Sequence, residues 1–281
     1  MATTAIDLQP RIAGHAAARR FLGFAATSWF IVTSLGQALF LGYIIGFYAP
    51  PVAVGDIAAW SRNKAVIDGY VAGDAAGNLQ FGVHVLMAAI LTFGGILQLW
   101  PALRRRAAGF HRWNGRVFVA AATIAATGGL WLVWIRGSRL GWASATGITL
   151  NALLILVFIA LAWRAARARD FATHQRWATR AFLAVSGVWF LRVGMMAFAL
   201  IGIGGLGLPK SRAQDFFAVW SFGSTLVPLL VYELYRRAKS PGGSYAMGGG
   251  LLVLTLVMAL GIAGAALMMW APALRAAGVL P

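Results

Sequence analysis

Seven long apolar runs, divided by short polar and basic connections, set the pattern of this chain. They lie near 22–47, 80–100, 117–135, 144–163, 181–203, 216–235 and 249–271. A helix rises 1.5 Å per residue, so about 20 residues cross the roughly 30 Å of bilayer hydrocarbon. The pattern predicts an all-α, polytopic integral membrane protein with seven transmembrane helices and a four-helix core in spans two to five. Each span, including 181–203, reads as one continuous helix. The links at 136–143, 204–215 and 236–248 are short, which makes sequential helices antiparallel neighbours.

The chain reads as one membrane domain over 22–271, with a short segment at 1–21 before it and a tail at 272–281 after it. The first run is too long for the core of a signal peptide. No small-residue cleavage site follows it, only Tyr48-Ala49-Pro50-Pro51, so it is a retained first span. The one long connection, 49–79, carries Asp56, Asp68 and Asp74 of the seven acids. A short helix is expected around Ile57 to Ile67, within a loosely ordered cap.

Composition supports this reading. The chain is 60% apolar and only 11% charged, against roughly a quarter charged in a soluble domain. A net charge of +17 raises nucleic acid as a partner. The cations, however, sit in short connections beside apolar runs, so no nucleic acid is expected. Alternate connections carry sixteen and seven of them. By the positive-inside rule the richer side is cytoplasmic, which places the N-terminus inside and the C-terminus outside the cell (inner) membrane. The absence of cysteine removes disulfides, thiolate metal sites and iron–sulfur clusters.

Two stretches nearly repeat: His111-Arg112-Trp113-Asn114-Gly115-Arg116 and His174-Gln175-Arg176-Trp177-Ala178-Thr179-Arg180. Both lie on the cation-rich side, and they hold two of the four histidines. If spans three and five begin early, both imidazoles stand at headgroup level. Three readings fit the pair. Tryptophan and arginine are what membrane interfaces attract, so the stretches could be anchors. His111 and His174 could ligate a haem iron axially, or bind copper or zinc as a metal pair. Arg116 and Arg180 would then suit haem propionates, or bind another anionic ligand.

On the opposite side three polar residues enter the apolar runs. His84 lies about five residues into the second span, roughly 7 Å deep, and Asn151 is similarly placed in the fourth. Arg192 is near the middle of the fifth, roughly 18 Å from Arg180. A mid-membrane arginine costs a few kcal/mol and should face the bundle interior with a partner. Glu233, the only glutamate, is at the wrong depth. Backbone carbonyls, Asn151, water or a bound anionic or carbonyl-bearing ligand remain.

Other features carry less chemistry. Gly202-Ile203-Gly204-Gly205-Leu206-Gly207 matches G-x-G-x-x-G, but no strand–turn–helix context surrounds it, so it reads as a loop. No triad or H-E-x-x-H can be assembled. His15 sits among alanines and arginines as a solvated or interfacial group. Trp131 with Trp134, and Phe216 with Phe217, read as lipid contacts or packing.

The ordered set from Asn78 to about Arg192 resembles the bacterial membrane-protein family called domain of unknown function 2306. The residues that carry it are His84, Gly95-x-x-Gln98, His111-Arg112-Trp113-x-Gly115-Arg116-Val117, His174-x-Arg176-Trp177-x-x-Arg180 and Leu191-Arg192. Asn114 and Ala178 depart from the pattern. The resemblance implies a family-like core over 78–203. A more distant similarity is to transmembrane b-type cytochromes of the ascorbate-reducible class, whose four-helix core holds haem b between histidines on alternate helices. That similarity implies a haem between His111 and His174, and puts Asn151 where a second site would need a histidine.

Two functions are expected. One is a redox protein with a haem or metal at His111/His174, exchanging electrons with a quinone or small reductant that His84 and Arg192 help bind. The other is a non-catalytic module for lipid or small-anion binding, for transport, or for assembly with other membrane subunits.

Overall fold

The computed structural model describes residues 8–62, 67–138, 140–203, 212–239 and 244–276. Helices account for nearly all of them, and no strand occurs among the described residues. In chain order these are α1 (Leu8–Ala53), α2 (Ala75–Leu99), the short α3 (Pro101–Arg106), α4 (Ala108–Trp131) and α5 (Trp142–Arg167). Then come α6 (Phe171–Val185), α7 (Gly187–Phe198), α8 (Arg212–Lys239) and α9 (Tyr245–Ala276). Six helices are long and apolar enough to cross a membrane, and the bent pair α6–α7 makes a seventh if its two halves are one span. The seven apolar runs of the sequence correspond to these six helices and the bent pair.

Helix starts differ from the edges of the apolar runs. α4 begins at Ala108 and α6 at Phe171, so His111 and His174 both lie in the first helical turns. For α6 the cause is local. Asp170 is the N-cap, and its carboxylate accepts the Thr173 backbone N–H at 3.0 Å. The Thr173 side chain and then its backbone N–H hold the Asp170 carboxyl below the usual carboxylate range.

The fifth span is not the single helix expected over 181–203. It breaks at Ser186, and the two halves meet at 51°. Neighbouring helices hold the break. Asn151 on α5 donates to the Ala184 carbonyl at 2.8 Å and to the Thr225 hydroxyl on α8 at 2.7 Å. Gln37 on α1 donates to the Ser186 hydroxyl at 3.0 Å. A side chain at Gly187 would put its Cβ 2.5 Å from the Asn151 amide nitrogen. Only glycine lets α5 close on the bend.

The cap is more ordered than its composition indicates. Ile57–Arg62 forms a 3-10 turn; the rest of the short helix expected to Ile67 falls partly outside the described residues. Trp60 is 7% exposed and packs with Phe81 and Tyr48, and its indole N–H reaches the Tyr48 carbonyl at 3.2 Å. Arg136, just past α4, ties the cap down. It donates to the Asp74 carboxylate at 2.8 Å, the Asp68 carbonyl at 2.8 Å and the Asn78 amide oxygen at 2.7 Å. Residues 204–207 of the glycine-rich stretch lie outside the described residues.

Candidate functional site

The twin stretches resolve into parts with different jobs. In each, an arginine lies over the tryptophan three residues earlier: Arg116 over Trp113 at 4.8 Å and Arg180 over Trp177 at 4.6 Å. Three residues is nearly one helical turn, so these cation–π pairs follow from helix geometry. Arg180 also stacks over Tyr232 and pairs with Glu233 at 2.5 Å, and Glu233 reaches Arg236 at 3.5 Å. The one glutamate is therefore spent on Arg180, and Arg180 is engaged within the fold.

The histidines behave differently. His174 places Nδ1 3.0 Å from the Ala162 carbonyl on α5, which makes Nδ1–H the donor and leaves Nε2 open. That is the orientation a ligating imidazole takes when a carbonyl fixes its tautomer. His111 is half-buried, and its Nδ1 is buried without a hydrogen-bond partner. The two rings are close enough to interact electrostatically, with Arg104 beside them. Gln98 donates to the His111 carbonyl at 2.9 Å and Asn114 to the Gly94 carbonyl at 2.8 Å, pinning the start of α4 to α2. Asn114, a departure from the family pattern, is thus a structural tie.

Two imidazoles fit the axial sites of a haem iron in donor chemistry. Among the described residues no three metal-ligating side chains gather, so a bare ion there would take only two protein ligands.

Toward the capped end of the bundle the helices line a half-open chamber of about 900 Å³. It brings together the three polar residues placed from the sequence: His84 from α2, Asn151 from α5 and Arg192 from α7 all line it. Gln37, Tyr43 and Ser186 join them, and sequence reasoning missed these three. Their signal was weak, because single polar residues in apolar helices become a cluster only once the packing is known. Met195, Met196, Met268 and Met269 supply a soft apolar wall, and Arg62 and Ile67 line the capped end.

Arg192 is exposed and His84 half-buried, and both border this half-open interior. The guanidinium of Arg192 stands 5.1 Å over the Phe40 ring and makes one long bond, 3.4 Å, to the Val188 carbonyl of its own helix. Tyr43 and Tyr48 lie within electrostatic reach. Among the described residues no acid lines the chamber. His84 packs its ring edge against Gly129, and its Nδ1 is buried without a hydrogen-bond partner. Asn151 spends both amide N–H groups on the Ala184 carbonyl and the Thr225 hydroxyl, so only its oxygen is left for the chamber. Neither His111 nor His174 lines this space.

No curated protein and no solved structure matches the chain. The similarity to b-type cytochromes finds no support in these comparisons. The sequence model of a family described as a predicted membrane protein, domain of unknown function 2306, matches residues 81–234. That match begins in α2, ends in α8 and includes both twin stretches together with His84, Asn151 and Arg192. Covering more than half of the chain, it makes this protein a member of the domain of unknown function 2306 family.

Proposed function

We propose that this membrane protein binds an amphipathic small molecule inside the bundle. An anionic or carbonyl-bearing head, such as a carboxylate, a phosphate or a quinone carbonyl, rests on Arg192. The apolar body lies along the methionine wall. One observation carries this reading: a guanidinium on the wall of a chamber that no acid among the described residues lines. Desolvating an arginine in hydrocarbon costs several kcal/mol unless a partner or water compensates. The volume lies within the roughly 300–1,000 Å³ of ligand sites. His84 lines the same space as Arg192. The charge asymmetry orients the protein with its N-terminus in the cytoplasm and the chamber in the outer half of the cell membrane.

Native mass spectrometry of detergent-purified protein tests this. The wild type is expected to carry an amphipathic molecule at close to one per chain, or to take up phosphatidylglycerol or a short-chain ubiquinone when offered. Arg192→Met should lose at least about tenfold in affinity, since a charge-assisted bond contributes about 1.5–3 kcal/mol. A wild type that binds none of these sinks the reading.

A second reading rests on a separate observation, the open Nε2 of His174 near the unpartnered His111. Haem held by these two rings would supply one-electron transfer at the opposite end of the bundle. The chain's own contribution is orientation: Ala162 fixes the His174 tautomer, and Gln98 anchors the turn that carries His111. Purified protein should then show a Soret band that His111→Ala or His174→Ala abolishes. Neither band nor stoichiometric metal in the wild type rules this reading out.

A further inference from the structure

The chamber has a second boundary, on the side of the bundle that faces lipid. Between α1 and α9 runs a narrow crevice that also touches α7 at Arg192. Phe40, Trp189, Arg192, Ala265, Met269 and Trp270 line both spaces. The crevice holds about 20 Å³, room for one water and no more. Its rim reaches the lipid-facing surface: Leu39 beside it is 47% exposed, and Met268, on the chamber wall, is 67% exposed. Arg192 is thus a partition between chamber and seam.

The seam is tight at one end and loose at the other. Toward the cation-rich end, the Thr33 hydroxyl meets the Met258 sulfur at 3.5 Å. A Cβ on Gly36 would lie 2.6 Å from Ile262, and α9 is pressed against α7 at the same level, where a Cβ on Gly261 would strike the Val193 carbonyl. Beyond that point toward the cap, alanines 265 and 266 and the flexible Met269 take over. Gly42 and Gly46 leave ordinary van der Waals spacing to Trp270. Among the described residues no side-chain hydrogen bond joins α1 to α9 there. The aqueous route is the better fastened of the two, because Arg136 holds the cap through Asp74, Asp68 and Asn78.

We infer that the chamber exchanges its ligand sideways with the bilayer, through the seam between α1 and α9 at Arg192. The ligand is therefore a membrane-dissolved molecule with an apolar tail and an anionic head. Parting the loose half of the seam exposes the guanidinium to the head while the tail stays in lipid. This inference rests on the ligand-binding reading above and adds the route and the tail.

The chain has no cysteine, so Leu39→Cys with Ala266→Cys supplies the only thiols, one on each side of the seam. The double variant is reconstituted in vesicles of phosphatidylcholine and phosphatidylglycerol. Its thiols are bridged with reducible bifunctional reagents of increasing length, and exchange of bound for deuterated phosphatidylglycerol is followed by native mass spectrometry. The shortest bridge that closes should slow exchange by about tenfold or more, as a locked gate does, and reduction should restore it. Ala266→Phe, which fills the crevice without a bridge, should slow it in the same sense. Unchanged exchange in both, with inorganic phosphate displacing the bound lipid, overturns the sideways route and leaves ligand binding standing. Loss of lipid retention in the wild type itself removes the binding reading, and the inference with it.

Discussion

At the scale of single residues, Asn151 shows how a polar group inside a membrane protein does two jobs. Its amide closes the break in the fifth span, and its oxygen remains on the chamber wall. Removing it takes the side-chain donor from the Ala184 carbonyl and from the Thr225 hydroxyl. Buried groups left unpaired cost about 1–3 kcal/mol each, although pairs measured within membranes average nearer 0.6 kcal/mol. Asn151→Ala should therefore lower stability by about 1–3 kcal/mol, read as a drop in the thermal midpoint in detergent. Gly187→Ala should cost a similar amount, because its new methyl displaces the same amide. The two losses should not add: in an Asn151→Ala background the Gly187→Ala penalty shrinks, since the group it displaces is gone. Strict additivity would show that the amide does not hold the bend. Cation–π pairing within each twin stretch was implicit in the Trp-x-x-Arg spacing. The separate behaviour of the two histidines was not, because it depends on the carbonyl that α5 presents to His174.

At the scale of elements, hydropathy alone located the six long apolar helices and the bent pair, since long apolar runs have one stable form in lipid. What it could not locate was the bend at Ser186. That break is held by Gln37, Asn151 and Thr225, from three other helices, and no local propensity encodes it. The chamber was hidden for the same reason: its wall is assembled from helices that are distant in sequence. The cap offers a test at this scale. The Gly77 backbone N–H, and then the Arg136 side chain, lower the Asp74 carboxyl below the usual carboxylate range. A carboxyl depressed in the fold adds stability above its unfolded value, and that contribution is lost as pH falls through the folded one. Asp74→Asn keeps an acceptor for Gly77 but loses the charge facing Arg136. Thermal midpoints of wild type and Asp74→Asn should be separated at neutral pH and converge below about pH 4. A gap that persists into acid would mean that the ion pair does not fasten the cap.

At the scale of the whole molecule, charge and chemistry divide along the membrane normal. One end carries the basic connections, the paired Trp–Arg stacks and the two histidines; the other carries the cap, the chamber and Arg192. Arginine-rich connections resist translocation, so sixteen cations against seven set the proposed direction of insertion. Reporters that are active only in the cytoplasm, fused after Ala107 and after Arg169, should be active. Reporters fused after Gly55 and after Gly137 should be silent, and enzymes active only outside should give the reverse. The opposite pattern would turn the chamber to the cytoplasm and give it a different pool of ligands. The cause can be tested too. Neutralising Arg104, Arg105 and Arg106 together removes three of the sixteen cations, yet leaves thirteen on that side against seven on the other. Orientation should therefore survive that change. It should weaken, seen as mixed reporter activity at Gly137, only when Arg164, Arg167 and Arg169 are neutralised as well. That leaves ten against seven, and the bias that sets topology is then small.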